Sequence, residues 1–329
     1  MNDRRLPDEF DLIARYFAPL TKGFPGAFAL GDDAAVIHPE PGRDIVATAD
    51  TMVADVHFLN SDPPAFIARK LLRVNLSDLA AMGARPRHYL LTLALPKGTD
   101  SEWVAGFAAG LAEDQELYGI TLAGGDTVAT SGPATLTLAA LGDVPAGKAL
   151  RRSGAQKGDR IYVTGTLGDG ALGLAVLQGS LAHLSKVHAA QLVDQYHLPR
   201  PRLAIGRKLI GCAHAAIDIS DGLVADLGHV AGQSGFGATV EAARLPLSAA
   251  TTAALEKDSD LFAAVLGGGD DYELLFTAAQ EKEKELASLA ACEGVKITCI
   301  GRIEGADGVR VLDAQGAEIP VKCTGYRHF

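Results

Sequence analysis

Short aspartate clusters recur from one end of the chain to the other, each set after an apolar run or among small residues. They are Gly31-Asp32-Asp33, Ala49-Asp50-Thr51, Asn75-Leu76-Ser77-Asp78, Gly124-Gly125-Asp126-Thr127, Asp218-Ile219-Ser220-Asp221-Gly222 and Gly269-Asp270-Asp271-Tyr272-Glu273. Carboxylates in such settings reach a site from strand ends and helix starts, so the fold has to supply many such ends. Carboxylates that converge repel one another and are stable together only around cations. Hard oxygen donors with little His or Cys nearby favour Mg²⁺, an ion that bridges protein carboxylates and substrate phosphates. The pattern points to a Mg²⁺-dependent, phosphate-handling enzyme.

The spacing of apolar residues indicates an α/β chain. Strand-like runs are expected at Asp44–Thr48, Tyr89–Leu95, Ile120–Ala123 and Ala134–Leu141, with helical spacing over Pro64–Met82 and Ser101–Tyr118 between them. A Gly- and base-containing connector, Pro145 to Gly158, separates two halves, taken as residues 1–147 and 148–329. The second half restarts with a strand at Arg160–Thr164, then helices to about Ile210, a strand at Ala215–Ile219 and a helix from about Asp221. Further strands fit Ala238–Glu241, Glu273–Thr277, Lys296–Ile300 and Val309–Leu312. Aspartate clusters fall in both halves, which suggests a site to which both contribute.

Composition narrows the function classes. With 329 residues, 48% hydrophobic and 21% charged, the chain buries a large core and is not disordered. A formal charge of −10 without a Lys/Arg block argues against a nucleic-acid surface. An acidic protein that handles polyanions needs divalent metal, helped by local bases such as Arg151, Arg152 and Lys157. Cys212, Cys292, Cys299 and Cys323 show no C-x-x-C spacing, so free thiols in a reducing compartment are expected rather than zinc or disulfides. The N-terminus lacks an apolar signal region, and no run reaches the ~18 residues of a membrane span. A cytoplasmic protein without membrane contact is expected.

Each cluster also has an ordinary explanation. Asp32-Asp33 after Gly31 is normal turn chemistry. Asp50 ends an apolar strand and carries Thr51 beside it. Asp78 sits in an apolar helix, facing either solvent or, with Asn75 and Ser77, a polar site. Gly124-Gly125-Asp126 reads as a β-turn, yet the same arrangement recurs at Gly268-Gly269-Asp270. Helix capping accounts for one of Asp218 and Asp221, not for both. Gly168-x-Gly170-x-x-Gly173 resembles a dinucleotide fingerprint, but the second strand and its acidic residue are missing, so NAD binding is rejected. The loop is kept as a phosphate-facing helix start. His57 lies just after Asp50 and is a candidate substrate contact.

Taken in order, Asp32–Ala34, Asp50-Thr51 to His57-Phe58, Asn75–Ala84, Gly124–Thr127, Arg152–Gly154 with Gly158-Asp159, Asp218–Leu223, Asp271–Thr277 and the ending Gly325–Phe329 resemble the thiamine-monophosphate kinase family. The resemblance implies a two-domain fold like that of aminoimidazole-ribonucleotide synthetase. Its N-terminal α/β domain pairs across a homodimer, and its C-terminal α+β domain completes each site. It implies ATP-dependent phosphorylation of thiamine phosphate to thiamine diphosphate, the last step of that coenzyme's biosynthesis. Carried over by motif, Asp33, Thr48, Asp50, Asp78, Asp126, Asp218 and Asp221 would bind several Mg²⁺ ions. Asp50, Asp126 and Asp221 would be the catalytic members of this set. Gly125, Asp126, Arg152 and Ser220 would face ATP, and His57, Asp270 and Tyr326 the thiamine moiety. Asp270 stands where the family commonly has Glu.

The chemistry suits this inventory. A phosphate monoester with a second pKa of about 6 is largely dianionic at neutral pH and needs no general base. Bringing it against a triphosphate costs ~4 kcal/mol for each unit-charge pair at ~4 Å and an effective dielectric near ~20. Several Mg²⁺ ions remove that repulsion and help align direct, in-line transfer. Within the same superfamily, a selenide-activating enzyme would need a Cys in the N-terminal Gly loop, and none precedes Cys212. A hydrogenase-maturation dehydratase would end in Cys, whereas this chain ends in Phe329. Aminoimidazole-ribonucleotide synthetase itself fits the motifs poorly. A non-catalytic sensor on the same fold would have lost a metal ligand, and the principal Asp positions are all present.

Overall fold

The computed structural model describes residues 6–305, 308–321 and 325. Its strands are β1 (Arg43–Val53), β2 (Arg85–Pro96), β3 (Thr121–Thr130), β4 (Thr135–Pro145), β5 (Arg160–Thr164), β6 (Ala215–Asp218), β7 (Gly237–Glu241), β8 (Leu274–Ala278), β9 (Ile297–Glu304) and β10 (Val309–Leu312). Its α-helices are α1 (Glu9–Leu12), α2 (Pro64–Ala81), α3 (Ser101–Tyr118), α4 (Asp169–Leu177), α5 (Lys186–His197), α6 (Leu203–Lys208), α7 (Leu223–Ser234), α8 (Ala249–Leu255), α9 (Phe262–Gly267) and α10 (Glu283–Glu293). The chain forms two compact units, Met1–Leu79 with Ala84–Gly147, and Ala80–Gly83 with Lys148–Phe329. No helix among the described residues is long and apolar enough to cross a membrane.

The first unit is built on a four-stranded sheet in the order β1-β4-β2-β3, antiparallel except for the parallel pair β2–β3. The register separates its two faces. Asp50 pairs with Leu138, Leu138 with Leu91, and Leu91 with Gly125, so these four share one face. Leu91 and Leu138 are buried there, and a Cβ on Gly142 of the same face would press on Leu79 of α2. Helices therefore cover this face. On the other face Thr51, Thr137, Thr92 and Asp126 stand in one row, and Ile45, Leu90 and Val128 are exposed.

Local signals explain the helices of this unit. Asp100 caps α3 by accepting the Trp103 N–H at 2.8 Å, and Gly119 ends it with φ +66 in the left-handed region. Asp114 of α3 is fully buried but paired, receiving Arg69 and Arg73 of α2 at 2.6–2.9 Å. A buried carboxylate needs such partners to stay charged.

The second unit carries a six-stranded sheet in the order β10-β7-β9-β5-β8-β6, antiparallel except for β10–β7. Ile161, Val163, Ile217, Leu227 and Leu275 are among the residues that close its core against α7 and its neighbours. At roughly 25 cal/mol per Å² of apolar surface, such burial is the main force holding the unit together. Cys212 is buried and Cys292 exposed; these and Cys299 are free thiols, and Cys323 lies outside the described residues.

Several elements differ from the sequence expectation. Strand β1 runs on to Val53, so Asp50 lies inside a strand rather than at its end. Gly124-Gly125-Asp126 is likewise strand, not turn: Asp126 pairs with Thr92, and a Cβ on Gly125 would collide with the Leu91 carbonyl. The glycine serves close strand approach, which local sequence does not distinguish from a turn.

Candidate active site

In the first unit, Thr48 and Asp50 are two residues apart on β1 and so point to the same, helix-covered face. Helix α2 brings Asp78 to them, and Thr48 Oγ1 donates to Asp78 Oδ2 at 2.5 Å. Burial, then the charge of Asp78 and a hydrogen bond to it, push the Asp50 carboxyl up to about 7. Two carboxylates share one half-buried site and compete for a proton. Nearby on α2, the buried Asn75 Oδ1 and Ser77 Oγ have no hydrogen-bond partner. Oxygen donors only, and a carboxylate pair strained by its own charge, suit a hard divalent cation. Among the described residues no group of three or more His, Cys, Asp or Glu side chains is set to hold a metal.

A second set lies at the β3 edge. Asp32, Asp33, Gly125 and Asp126 line one cavity of about 120 Å³, with Phe17 and Leu122 among its apolar walls. The chain reaches Asp33 through Phe28, Ala29 and Leu30, all with φ between 49° and 61°. Asp126 and Asp33 line this cavity together, while register puts the Asp126 side chain on the sheet face opposite Asp50. His57 follows β1 and accepts the Val53 N–H on Nδ1 at 3.0 Å, which leaves the proton on Nε2.

In the second unit, β6 ends at the buried Asp218, and the loop Ile219–Gly222 leads into α7. Ser220 and Asp221 do not cap the helix; Gly222 does, with φ +131. The side-chain contact runs the other way. Asp226, four residues past Gly222, accepts the N–H groups of Ser220, Asp221 and Gly222 on Oδ2, each at 3.1 Å. Burial pushes its carboxyl up to about 7 despite those donors. Sequence reading missed Asp226, because an Asp within the first turn of a helix is ordinary. Its spacing from the loop it closes was the available sign.

The segment Gly269–Glu273 lies against this loop, with Asp270 N–H donating to Ser220 O at 2.9 Å and Tyr272 N–H to Ile219 O at 2.8 Å. Position 270 is thus fixed by Ser220. The Gly168 loop differs from expectation. Its N–H at the start of α4 donates to both Asp271 carboxylate oxygens at 2.9 and 3.0 Å, and Gly170 faces the Asp270 carbonyl. A protein carboxylate, not a phosphate, occupies that helix start. Arg152 is exposed on the loop before β5, and Tyr326 lies outside the described residues.

Comparison with known proteins settles the family. Residues 31–144 match the model for the AIR synthase related protein N-terminal domain, and residues 156–314 that for the C-terminal domain. Thiamine-monophosphate kinase of Caulobacter vibrioides is 42% identical over 98% of this chain and 91% of its own length. The chain belongs to the thiamine-monophosphate kinase family. The crystal structure of the Stenotrophomonas maltophilia K279a member is 43% identical, covers 86% of this chain and 89% of its own, and superposes with a TM-score of 0.79. A structure described as AaThiL complexed with AMPPCP and TMP is 30% identical, with 93% and 97% coverage and a TM-score of 0.78. The two-domain mixed helix and sheet architecture expected from the resemblance is thereby borne out.

Proposed function

We propose that this protein transfers the γ-phosphoryl group of ATP to thiamine phosphate, giving thiamine diphosphate and ADP. The observation that carries the reading is the full-length relationship to a protein solved with AMPPCP, a non-hydrolysable ATP analogue, and TMP, taken as thiamine monophosphate. A phosphate oxygen of thiamine phosphate attacks the γ-phosphorus in line. The bond from that phosphorus to the β,γ-bridging oxygen breaks, and ADP leaves with the electron pair. The acceptor is already dianionic at neutral pH, so no side chain has to remove a proton.

The residue roles follow the motifs. Asp50, Asp78 and Thr48 would hold metal from β1 and α2, Asp33 and Asp126 from the β3 edge, and Asp218 and Asp221 from the end of β6. When bound, Mg²⁺ supplies neutralisation of the facing phosphates and alignment of the transferred group. The oxygen-only donors and the Asp50–Asp78 repulsion support this fit. Asp50, Asp126 and Asp221 are the catalytic members of the set. Gly125, whose strand packing leaves backbone exposed at the cavity, would lie along the nucleotide with Asp126, Arg152 and Ser220. His57, through its Nε2–H, would face the thiamine phosphate with Asp270 and Tyr326. Residues 1–147 and 148–329 each supply part of this machinery.

A second copy of the chain is proposed to cover the outward face of the first sheet. That face exposes Ile45, Leu90 and Val128 at 50%, 43% and 47%, apolar side chains that a partner copy would cover. The reaction is placed in the cytoplasm.

Product analysis tests the activity. Purified protein is incubated with Mg-ATP and either thiamine phosphate or free thiamine, and the thiamine species are separated by chromatography. Thiamine diphosphate from thiamine phosphate alone, with one ADP per product, is expected. Thermal stabilisation by both ligands without product would replace the kinase with a sensor. Neither effect would leave only the fold.

A further inference from the structure

The loop before β5 is tied down by its backbone on both sides of Arg152. Arg151 O accepts the N–H of Ala216 on β6 at 2.8 Å. Just past Arg152, the N–H groups of Gly154 and Ala155 both donate to one oxygen, Ser234 Oγ, at 3.2 and 3.1 Å. Ser234 is the last residue of α7, the helix that starts directly after Ser220, Asp221 and Gly222. Behind the turn, Asp159 accepts the Gln156 N–H at 2.9 Å and the His214 Nδ1–H at 2.8 Å. Gly154 has φ +121, and a Cβ there would stand 2.6 Å from the His214 carbonyl oxygen, so the turn lies hard against the chain entering β6. Arg152 itself is exposed, and among the described residues its guanidinium has no hydrogen-bond or ion-pair partner. An arginine held at its root and unpaired at its tip is suited to an anion such as a phosphate.

We propose that Ser234 is a positioning residue for the nucleotide. Its hydroxyl holds the turn after Arg152, so the guanidinium meets the triphosphate from a backbone that is already ordered. This reading rests on the proposed function, in which Arg152 faces ATP. It adds that α7 holds a nucleotide-facing loop at each of its ends. At the first turn Asp226 gathers the N–H groups of Ser220, Asp221 and Gly222. At the last, Ser234 gathers those of Gly154 and Ala155. One helix of 12 residues thereby fixes the spacing between Ser220 and the Arg152 turn.

The experiment is a double-mutant cycle on the full chain: wild type, Ser234→Ala, Arg152→Ala and the pair. Ser234→Thr, which keeps a hydroxyl, is the conservative control. Calorimetric titration with Mg-AMPPCP gives Kd, initial rates give KM for ATP and for thiamine phosphate, and melting is followed for each protein. Arg152→Ala is expected to weaken nucleotide binding about 10- to 100-fold, the worth of a hydrogen bond to a charged group. Ser234→Ala should weaken it about 2- to 10-fold, the cost of ordering one side chain on binding. It should add nothing in the Arg152→Ala background and should leave KM for thiamine phosphate unchanged. Ser234→Thr should bind as wild type does. An unchanged Kd in Ser234→Ala, an equal loss in both backgrounds, or a Thr variant as weak as the Ala variant overturns the positioning role. So does a parallel rise in both KM values with a lower melting temperature. If Arg152→Ala binds as wild type does, the assignment of Arg152 to ATP fails and the inference with it. If wild type binds the nucleotide but forms no product, the kinase reading alone fails and the Kd cycle still decides. No nucleotide binding by wild type overturns both.

Discussion

At the scale of single residues, the Asp50–Asp78 pair shows how the proposed metal site is held against its own electrostatics. Both carboxylates stand in one half-buried place, and burial with mutual repulsion raises Asp50 to about 7. Thr48 offsets a part by donating to Asp78. Asp50→Asn removes one charge and keeps the shape. It is expected to lower kcat by ~10²-fold or more, as when a group that stabilises transition-state charge is lost. In metal-free buffer the variant should melt no lower than wild type, because the repulsion has gone. Mg²⁺ should raise the melting temperature of wild type more than that of the variant, since a ligand of the native state stabilises by mass action. Differential scanning fluorimetry with EDTA and with Mg²⁺ reads both; equal metal shifts in the two proteins would remove Asp50 from the ligand set.

At the scale of elements, two devices tie segments together. The first is Asp226, whose carboxylate gathers three N–H groups of a half-buried loop. Asp226→Ala is expected to cost about 1–3 kcal/mol of stability, the penalty for stranded donors, while Asp226→Asn keeps an acceptor and loses less. Denaturant unfolding measures this, and an Asn variant as damaged as the Ala variant would show that the acceptor is not the cause. The second device is the cluster at the β1, β2 and β4 ends, where Asp143 meets Arg43 and Arg85, and Glu40 meets Arg85 and Arg87. Burial pushes the Asp143 carboxyl up, but hydrogen bonds from Arg85 and Arg43 outweigh it and hold the group below its ordinary 3.8. A lowered carboxyl contributes stability above its unfolded value and loses it as pH falls through the folded one. Wild type should therefore be more stable than Asp143→Asn at neutral pH, with the two converging as pH falls through the lowered folded-state value; a gap that persists in acid would trace to packing instead.

At the scale of the whole molecule, the outward face of the first sheet is the face proposed to pair with a second copy. Leu90 lies near its middle, beside Ala139 and Gly124 by register, and is 43% exposed. Leu90→Glu places a charge on that face without touching the helix-covered core. A protein of dimer mass is expected by light scattering for wild type and of monomer mass for the variant, with the circular dichroism unchanged. A monomeric wild type would remove the dimer.

What the sequence determined by itself was local, or strongly periodic, or a matter of motif order. The 18-residue helix Ser101–Tyr118 was readable from its helical spacing, and the structure caps it with Asp100 and Gly119. The strand Arg160–Thr164 was readable as a compact apolar run, and the ordered aspartate motifs identified the family. Tertiary structure alone decided which of those aspartates meet. A strand alternates its faces residue by residue, and only pairing with distant strands sets Asp50 and Asp126 on opposite faces, with Asp78 beside the first and Asp33 lining one cavity with the second. The same holds for Gly125, a strand residue because of the Leu91 carbonyl, and for Gly168, whose amide is taken by an acid more than a hundred residues away. These contacts are set by close packing between segments remote in sequence, and neither local propensity nor spacing encodes them.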